Sequence, residues 1–152
     1  MKTNSRNIRE RTIENFLNKY NTYLIGIKNC QQQLDYMLPS LTARYDSDGQ
    51  SATYYIANNT AQVALDRITS KRALDLLEEI EHYKLIISSI DNALSELDEK
   101  QKSFVQLRYF GNLKMYEVKG KMHVSDEKIL YRIRRQVLDK FAISLGSLIS
   151  LK

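Results

Sequence analysis

Turn-forming residues and cysteines are scarce in this sequence of 152 residues. There are five glycines, one proline and one cysteine, and tryptophan is missing. So few glycines and prolines disfavour a sandwich or barrel of many short strands, because such folds need turn residues between their strands. The single cysteine, Cys30, excludes an internal disulfide, so nothing points to an oxidising compartment. We therefore expect an all-α protein of the cytoplasm, with Cys30 in a structural role.

Long apolar runs are missing as well. No stretch approaches the ~18 apolar residues of a membrane span, and the N-terminal residues 1–16 lack the apolar core of a signal peptide. These absences predict that the chain is neither inserted into a membrane nor exported. The proportions of hydrophobic residues (43%) and charged residues (27%) are ordinary for a folded chain, which excludes disorder throughout.

Basic residues are concentrated toward the C-terminal end. Residues 101–152 contain eleven Lys or Arg against four Asp or Glu, whereas residues 61–100 contain five against nine. Apolar side chains such as Phe104, Tyr109 and Ile133 alternate with these charges, which is typical of a folded segment and not of a charged tail. A folded basic module favours a polyanionic partner.

The N-terminal part has the pattern of a long helix. Apolar residues recur at alternating steps of three and four from Ile13 to Met37, which is the seam of a coiled coil. Pro39 disfavours the helical conformation at the residue before it, so we predict a first helix over 7–38. Residues 40–59 lose the period and collect Ser, Asp, Gly and Asn, which predicts a flexible linker.

A second seam follows and predicts a second long helix. Asn59 and Gln62 have the spacing of a capping box, and apolar residues recur from Ala73 to Leu97. Two matching seams can pack together within one chain or against a second copy of it, and the sequence leaves both arrangements open. We expect residues 1–96 to form an oligomerisation part, and hence a homo-oligomer.

Residues 97–145 are predicted to form a separate domain of three shorter helices. Asp98 is placed to cap the first helix, with Gln101 at its third position. The second helix is predicted around 114–122, and Ser125 is predicted to cap the third. Apolar residues repeat every four positions along one side of the third helix: Ile129, Ile133, Val137 and Phe141.

The second and third of these helices are joined by a tight turn, and the third has a basic face. This is the arrangement of a helix-turn-helix, whose second helix enters the major groove of DNA. Such a helix needs polar side chains at its N-terminal end to reach base edges and cations beside them. The residues predicted to face the groove are Ser125, Asp126, Glu127, Lys128, Tyr131, Arg132 and Arg135. The residues predicted to contact phosphates are Lys114, Lys119, Lys121 and Arg134.

These C-terminal residues resemble the promoter-reading domain of bacterial sigma factors, the region-four type of helix-turn-helix. The match covers about 45 residues, from LDEKQKSFVQLRYFGNLK to RRQVLDKF. Two positions depart from the pattern, because Lys119 stands where Ala is usual and His123 where the turn Gly is usual. The positions that agree are Leu97, Leu107, Arg108, Tyr109, Phe110, Leu113, Glu117, Val118, Met122, Val124, Ser125 and Ile129.

With its helical N-terminal part, the whole chain is similar to phage-encoded late transcription regulators of the ArpU and RinA type. The resemblance implies a regulator from a phage or prophage that binds double-stranded DNA specifically at a late promoter. Our hypothesis is that it acts as an activator, although the sequence does not distinguish activation from repression. It also implies a contact with host RNA polymerase, which the sigma domain makes.

Two other functions remain open in the sequence. The same domain can serve as an interaction module that binds host RNA polymerase or a sigma factor without DNA, or as part of a small terminase-like packaging subunit. An enzyme is disfavoured, since there is no Gly-rich phosphate loop and no Ser, His and Asp set. His82 and His123 have no partner at a metal-ligand spacing. We therefore predict no catalytic residue, no metal and no cofactor.

Overall fold

The computed structural model of the chain describes residues 2–42 and 55–150, with side chains over 5–37 and 63–149. The described residues are helical throughout apart from short turns and contain no strand, which confirms the all-α prediction. None of the described helices has the length and apolar character that a membrane crossing requires. The helices are α1 (Lys2–Asn18), α2 (Tyr20–Thr42), α3 (Tyr55–Ser95), α4 (Glu99–Val105), α5 (Met115–Lys121), α6 (Glu127–Ser144) and α7 (Gly146–Ser150).

The N-terminal helices differ from the single helix predicted over 7–38. The helix is interrupted at Lys19, although Lys19 still donates its backbone N–H to the carbonyl of Asn15 at 3.1 Å. At its other end α2 continues through Pro39 to Thr42. The prediction that Pro39 ends the helix is wrong because a proline in the last turn removes one intrahelical hydrogen bond and only disfavours, without forbidding, the helical conformation before it.

The second long helix begins earlier than predicted, at Tyr55. The side chains of Asn59 and Gln62, predicted to cap it, lie outside the described side chains. Of the predicted linker 40–59, residues 43–54 lie outside the described residues, while the residues on either side of that gap are helical.

Two compact units account for the described residues. Met1–Leu24 together with Lys84–Lys152 form one, here called the terminal unit, and Ile25–Tyr83 form the other, the middle unit. This division does not follow the predicted boundary at residue 97, because α1 and the end of α3 belong with the C-terminal helices. The reason is apolar burial, since the α1 side chains are part of the core that those helices share.

The terminal unit has one continuous core. Tyr20 stacks on Phe110 with ring centroids 4.4 Å apart, and Phe104 meets Tyr109 edge to face at 6.0 Å. The fully buried side chains come from α1, α3, α4, α5, α6 and the residue after α6: Ile13, Leu17, Ile90, Phe104, Val105, Val118, Leu130, Val137, Leu138, Phe141 and Leu145. Burial on this scale, at about 25 cal/mol per Å² of apolar surface, is the main stabilising term of the unit.

Helix α2 packs on α3 within the middle unit. Cys30 and Leu34 are buried against Leu76 and Ile80, so these parts of the two seams pair inside one chain. Burial raises the pKa of the Cys30 thiol, and a hydrogen bond from its Sγ to Glu79 at 3.5 Å adds to this effect. Cys30 is therefore a buried core residue, as predicted, and its environment favours the protonated thiol.

The first C-terminal helix starts as predicted. Asp98 accepts a hydrogen bond from the backbone N–H of Gln101 at 2.8 Å, and the Gln101 side chain accepts one from the backbone N–H of Asp98 at 3.3 Å. This reciprocal pair satisfies two amides that the helix itself leaves without partners. Helix α4 then widens into a π-helical turn over Gln106–Phe110 and ends at Gly111.

Tyr20 links α2 to the end of α3 and ionises only at high pH. Burial raises the pKa of its hydroxyl from 10.0 to about 12, and the hydrogen bond to Asp91 at 2.7 Å and the charge of that carboxylate add to the rise. An unfolded tyrosine loses its proton near 10. Because the unfolded state ionises first, the free energy of unfolding falls as the pH rises from about 10 to about 12.

We expect Tyr20→Phe to reduce this loss of stability, because the variant has no hydroxyl to ionise at that position. Denaturant unfolding of both proteins, below and within this pH window, measures the difference. An equal loss of stability in both proteins would contradict the assignment.

Candidate nucleic-acid interface

A short turn joins α5 to α6 and sets the direction in which α6 leaves. His123 lies in the left-handed region with a φ of 53°. Its neighbour Val124 donates its backbone N–H to the carbonyl of Lys119 at 3.2 Å, which closes the end of α5. A left-handed residue is usually glycine, and histidine tolerates this conformation better than a β-branched residue does. The departure from glycine at His123 is thus compatible with a tight turn.

Helix α6 is capped by Asp126, and the prediction of Ser125 as the cap is wrong. The backbone of Asp126 is extended, with φ −128° and ψ 129°, and its Oδ1 accepts the backbone N–H of Lys128 at 3.0 Å. Ser125 and Asp126 are both good capping residues, so local preference cannot choose between them. The path of the turn places Asp126 at the boundary.

This assignment gives a testable difference between neighbouring residues. We expect Asp126→Ala to lower the free energy of unfolding by about 1 kcal/mol, the usual cost of a lost N-cap. Ser125→Ala is the matched control and is expected to change it by only a few tenths, as exposed positions away from caps do. Denaturant titrations of both variants measure the two values, and the opposite ranking would place the cap at Ser125.

The buried side of α6 is rotated from the predicted one. Leu130 is completely buried, whereas Ile129, predicted to face the core, is 40% exposed. The predicted Ile133, Val137 and Phe141 are buried, and so is Leu138. A strict step of four drifts around a helix of 3.6 residues per turn, so the core takes Leu130 in place of Ile129 at the start of the helix.

The side of α6 opposite this core is basic and exposed. Lys128, Arg132 and Arg135 follow one another at steps of four and three, which places them on one stripe. All three are exposed, and Tyr131 beside them is 54% exposed. Ser125, Asp126 and Glu127, at the start of the helix, are exposed as well. The structure thus brings the whole predicted groove-facing set to the N-terminal half of α6 and the turn before it.

The lysines in and beside α5 differ in their exposure to solvent. Lys114, just before α5, and Lys121, at its end, are exposed, whereas Lys119 is half-buried. Helix α5 is held to the core by Val118, which is completely buried, and its start is closed by Glu117, which accepts the backbone N–H of Lys114 at 2.7 Å. Lys114 and Lys121 therefore keep their side chains available to an anion, and Lys119 does so only partly.

Arg134 lies on α6 but outside the stripe of Lys128, Arg132 and Arg135. Its guanidinium forms an ion pair within the protein in place of the predicted contact with phosphate. Its Nη2 lies 2.9 Å and its Nε 3.0 Å from Oε1 of Glu14 on α1. The hydroxyl of Tyr109 donates to the same oxygen at 2.9 Å, and Glu10 lies 3.9 Å from Nη1 of Arg134. Burial raises the pKa of Tyr109, and the negative charge of Glu14 adds to the rise. This Glu14 cluster holds α6 against α1.

Sequence reasoning missed the Glu14 cluster because its members are far apart in the chain. Glu14 and Arg134 are separated by 120 positions, and neither has an unusual local pattern. The one available signal was the position of Glu14 next to Ile13 on the first seam. That signal indicates partial burial but does not name a partner.

Substitutions of Arg134 and of its neighbour Arg135 are therefore expected to differ in their effect on stability. We expect Arg134→Ala to lower the free energy of unfolding, because it leaves the half-buried carboxylate of Glu14 without its cationic partner. Arg135→Ala is expected to leave stability nearly unchanged, since Arg135 is exposed and no partner holds it in the described part of the chain. Thermal unfolding of the two variants measures the contrast, and equal melting temperatures would contradict it.

The described residues contain no group of three or more His, Cys, Asp or Glu side chains that could hold a metal ion. No protein-family model, curated protein or solved structure matches this chain. A functional proposal therefore depends on the exposed basic stripe of α6 and the way the terminal unit presents it.

Proposed function

We propose that the protein is a sequence-specific DNA-binding transcription regulator of a phage or prophage. In this proposal α5, the turn and α6 act as a sigma-like helix-turn-helix, and α6 is the helix that enters the major groove. The observation that carries the proposal is the exposed stripe of Lys128, Arg132 and Arg135 on the N-terminal half of α6, directly opposite the buried Leu130 and Val137. Such a helix combines an anchored apolar side with a free basic side.

The exposed residues suit distinct contacts with DNA. Lys128 can donate to the O6 and N7 acceptors of guanine, and Glu127 can accept from the amino group of cytosine. Lys114 and Lys121, at the two ends of α5, suit phosphate oxygens, which supply affinity but not base discrimination. Asp126 contributes differently, because one of its carboxylate oxygens already caps α6.

The regulatory part of the proposal comes from the resemblance to sigma factors and to phage late regulators. A domain of that type binds at a promoter, and a contact with host RNA polymerase would make the bound protein an activator of late genes. The Glu14 cluster ties α6 to α1 and so supports a fixed orientation of the helix proposed to contact the bases. Helix rigidity favours precise base contacts.

A footprint of the purified full chain on phage or prophage DNA around its own gene and the late promoter tests the proposal. We expect a discrete protected site whose affinity falls by ~10³ or more between about 50 and about 200 mM salt if six or more phosphates are contacted. Protection without discrete borders would contradict sequence-specific binding. No protection at the lower salt concentration, combined with capture of host RNA polymerase, would favour the interaction module instead.

A further inference from the structure

Helix α3 carries a second heptad-spaced stripe on the side that faces away from α2. Within the middle unit its buried side consists of Leu76 and Ile80, which pack on α2. At 100° per residue, the opposite side is occupied by residues at successive steps of four, three, four and three. These residues, here called the α3 stripe, are Arg67, Lys71, Leu74, Glu78 and Glu81.

The α3 stripe is exposed and has an apolar centre. Leu74 is 60% exposed, and Leu77 next to it is 46% exposed. Single exposed leucines need no explanation, but two on adjacent turns, with Leu74 at the middle of the heptad stripe and Leu77 on its flank, are typical of a helix that meets another helix. The packing of α2 on α3 does not cover them, because α2 occupies the other side of α3.

The charges of the α3 stripe change sign about Leu74. Arg67 and Lys71 precede it by seven and three residues, and Glu78 and Glu81 follow it by four and seven. In a two-fold symmetric antiparallel pair of helices, a residue before the axis lies opposite the residue equally far behind it in the other copy. The basic half of each stripe would then face the acidic half of the other, whereas a parallel pair would place like charges together.

We propose that the α3 stripe is a homodimer interface in which two copies of this chain pair antiparallel about Leu74. Arg67 lies opposite Glu81 of the second copy, since both are seven residues from Leu74. Lys71, three residues before Leu74, lies within one residue of the position opposite Glu78 of the second copy, which is four residues after Leu74. The leucines of both chains form the apolar centre, and the ion pairs on each side select the antiparallel orientation. This proposal does not depend on DNA binding, because it uses none of the residues of α5 or α6.

The oligomeric state of the full chain tests the proposal directly. Sedimentation equilibrium over a wide range of protein concentration is expected to show a mass approaching twice 17.8 kDa. Leu74→Asp places an unpaired charge at the centre of the interface, and we expect it to weaken the dimer by about a hundredfold. Ile68→Asp is the matched control, because Ile68 is 64% exposed on another face of α3 and its substitution is expected to leave the dimer intact.

A charge exchange tests the orientation. We expect Lys71→Glu alone and Glu78→Lys alone each to weaken the dimer by roughly tenfold, because each places like charges opposite one another. The double variant K71E/E78K is expected to restore the wild-type affinity, since the exchanged charges again face opposite signs in an antiparallel pair. Circular dichroism establishes that all these surface variants keep the helical content of the wild type.

Three results would overturn the proposal. The first is a wild-type mass of a single chain at the highest concentration. The second is a dimer that withstands Leu74→Asp, which would place the contact on another surface. The third is failure of K71E/E78K to recover what the single reversals lose, which would exclude the antiparallel register about Leu74.

Discussion

A fragment that begins at residue 97 is expected to lack a cooperative unfolding transition, although the sequence pattern marks 97–145 as a domain. The C-terminal helices share their core with α1, whose Ile13 and Leu17 are completely buried and whose Phe16 is 5% exposed. Removing α1 exposes this apolar surface and breaks the Glu14 cluster. Losses of several kilocalories per mole at each such position are comparable to the whole stability of a domain of this size.

Point substitutions in the full chain test the same contribution without deletion. We expect Leu17→Ala to lower the free energy of unfolding by roughly 2–5 kcal/mol, the usual cost of a cavity at a fully buried leucine. Ile8→Ala, on the same helix but 60% exposed, is the matched control and is expected to cost well under ~1 kcal/mol. Denaturant unfolding measures both variants. A fragment 97–152 that unfolds cooperatively, or a Leu17→Ala protein as stable as Ile8→Ala, would show that the C-terminal helices fold without α1.

Replacing Lys128, Arg132 and Arg135 together by alanine is expected to abolish specific DNA binding. Each lost contact to a base or phosphate costs about 1–3 kcal/mol, so the three together weaken binding by about a thousandfold or more. Fluorescence anisotropy with the footprinted site measures the change. Helical content should persist, because alanine is a strong helix former and all three side chains are exposed.

A charge-matched control separates this stripe from net charge. The triple alanine variant of Lys19, Lys28 and Arg72 also removes three positive charges, but from exposed positions outside α5 and α6. We expect its affinity to fall by less than tenfold, the effect of a weaker overall field. Equal losses of affinity in the two triple variants would mean that the protein binds DNA through its overall positive charge. Unchanged binding after replacement of Lys128, Arg132 and Arg135 would exclude α6 as the recognition helix.

Local signals predicted the ends of elements well where a single residue suited the role. Asp98 and Gln101 form the expected capping box, because that motif needs only residues three positions apart. The prediction failed where two neighbours were equally suitable, and the structure selected Asp126 over Ser125. It failed in the same way in α6, where Leu130 and Ile129 are adjacent apolar residues and only the core determines which one is buried.

The sequence by itself determined that the described chain is helical, where most of its helices lie and that the basic side chains gather near the C-terminal end. These properties depend on residues within a few turns of one another, so spacing and composition contain them. The tertiary structure alone decided that α1 completes the C-terminal core, that Arg134 pairs with Glu14, and that the seams around Cys30 and Leu76 pair within one chain. Contacts across 120 positions depend on how amphipathic helices share a limited buried surface, and many pairings of similar helices satisfy the same local pattern.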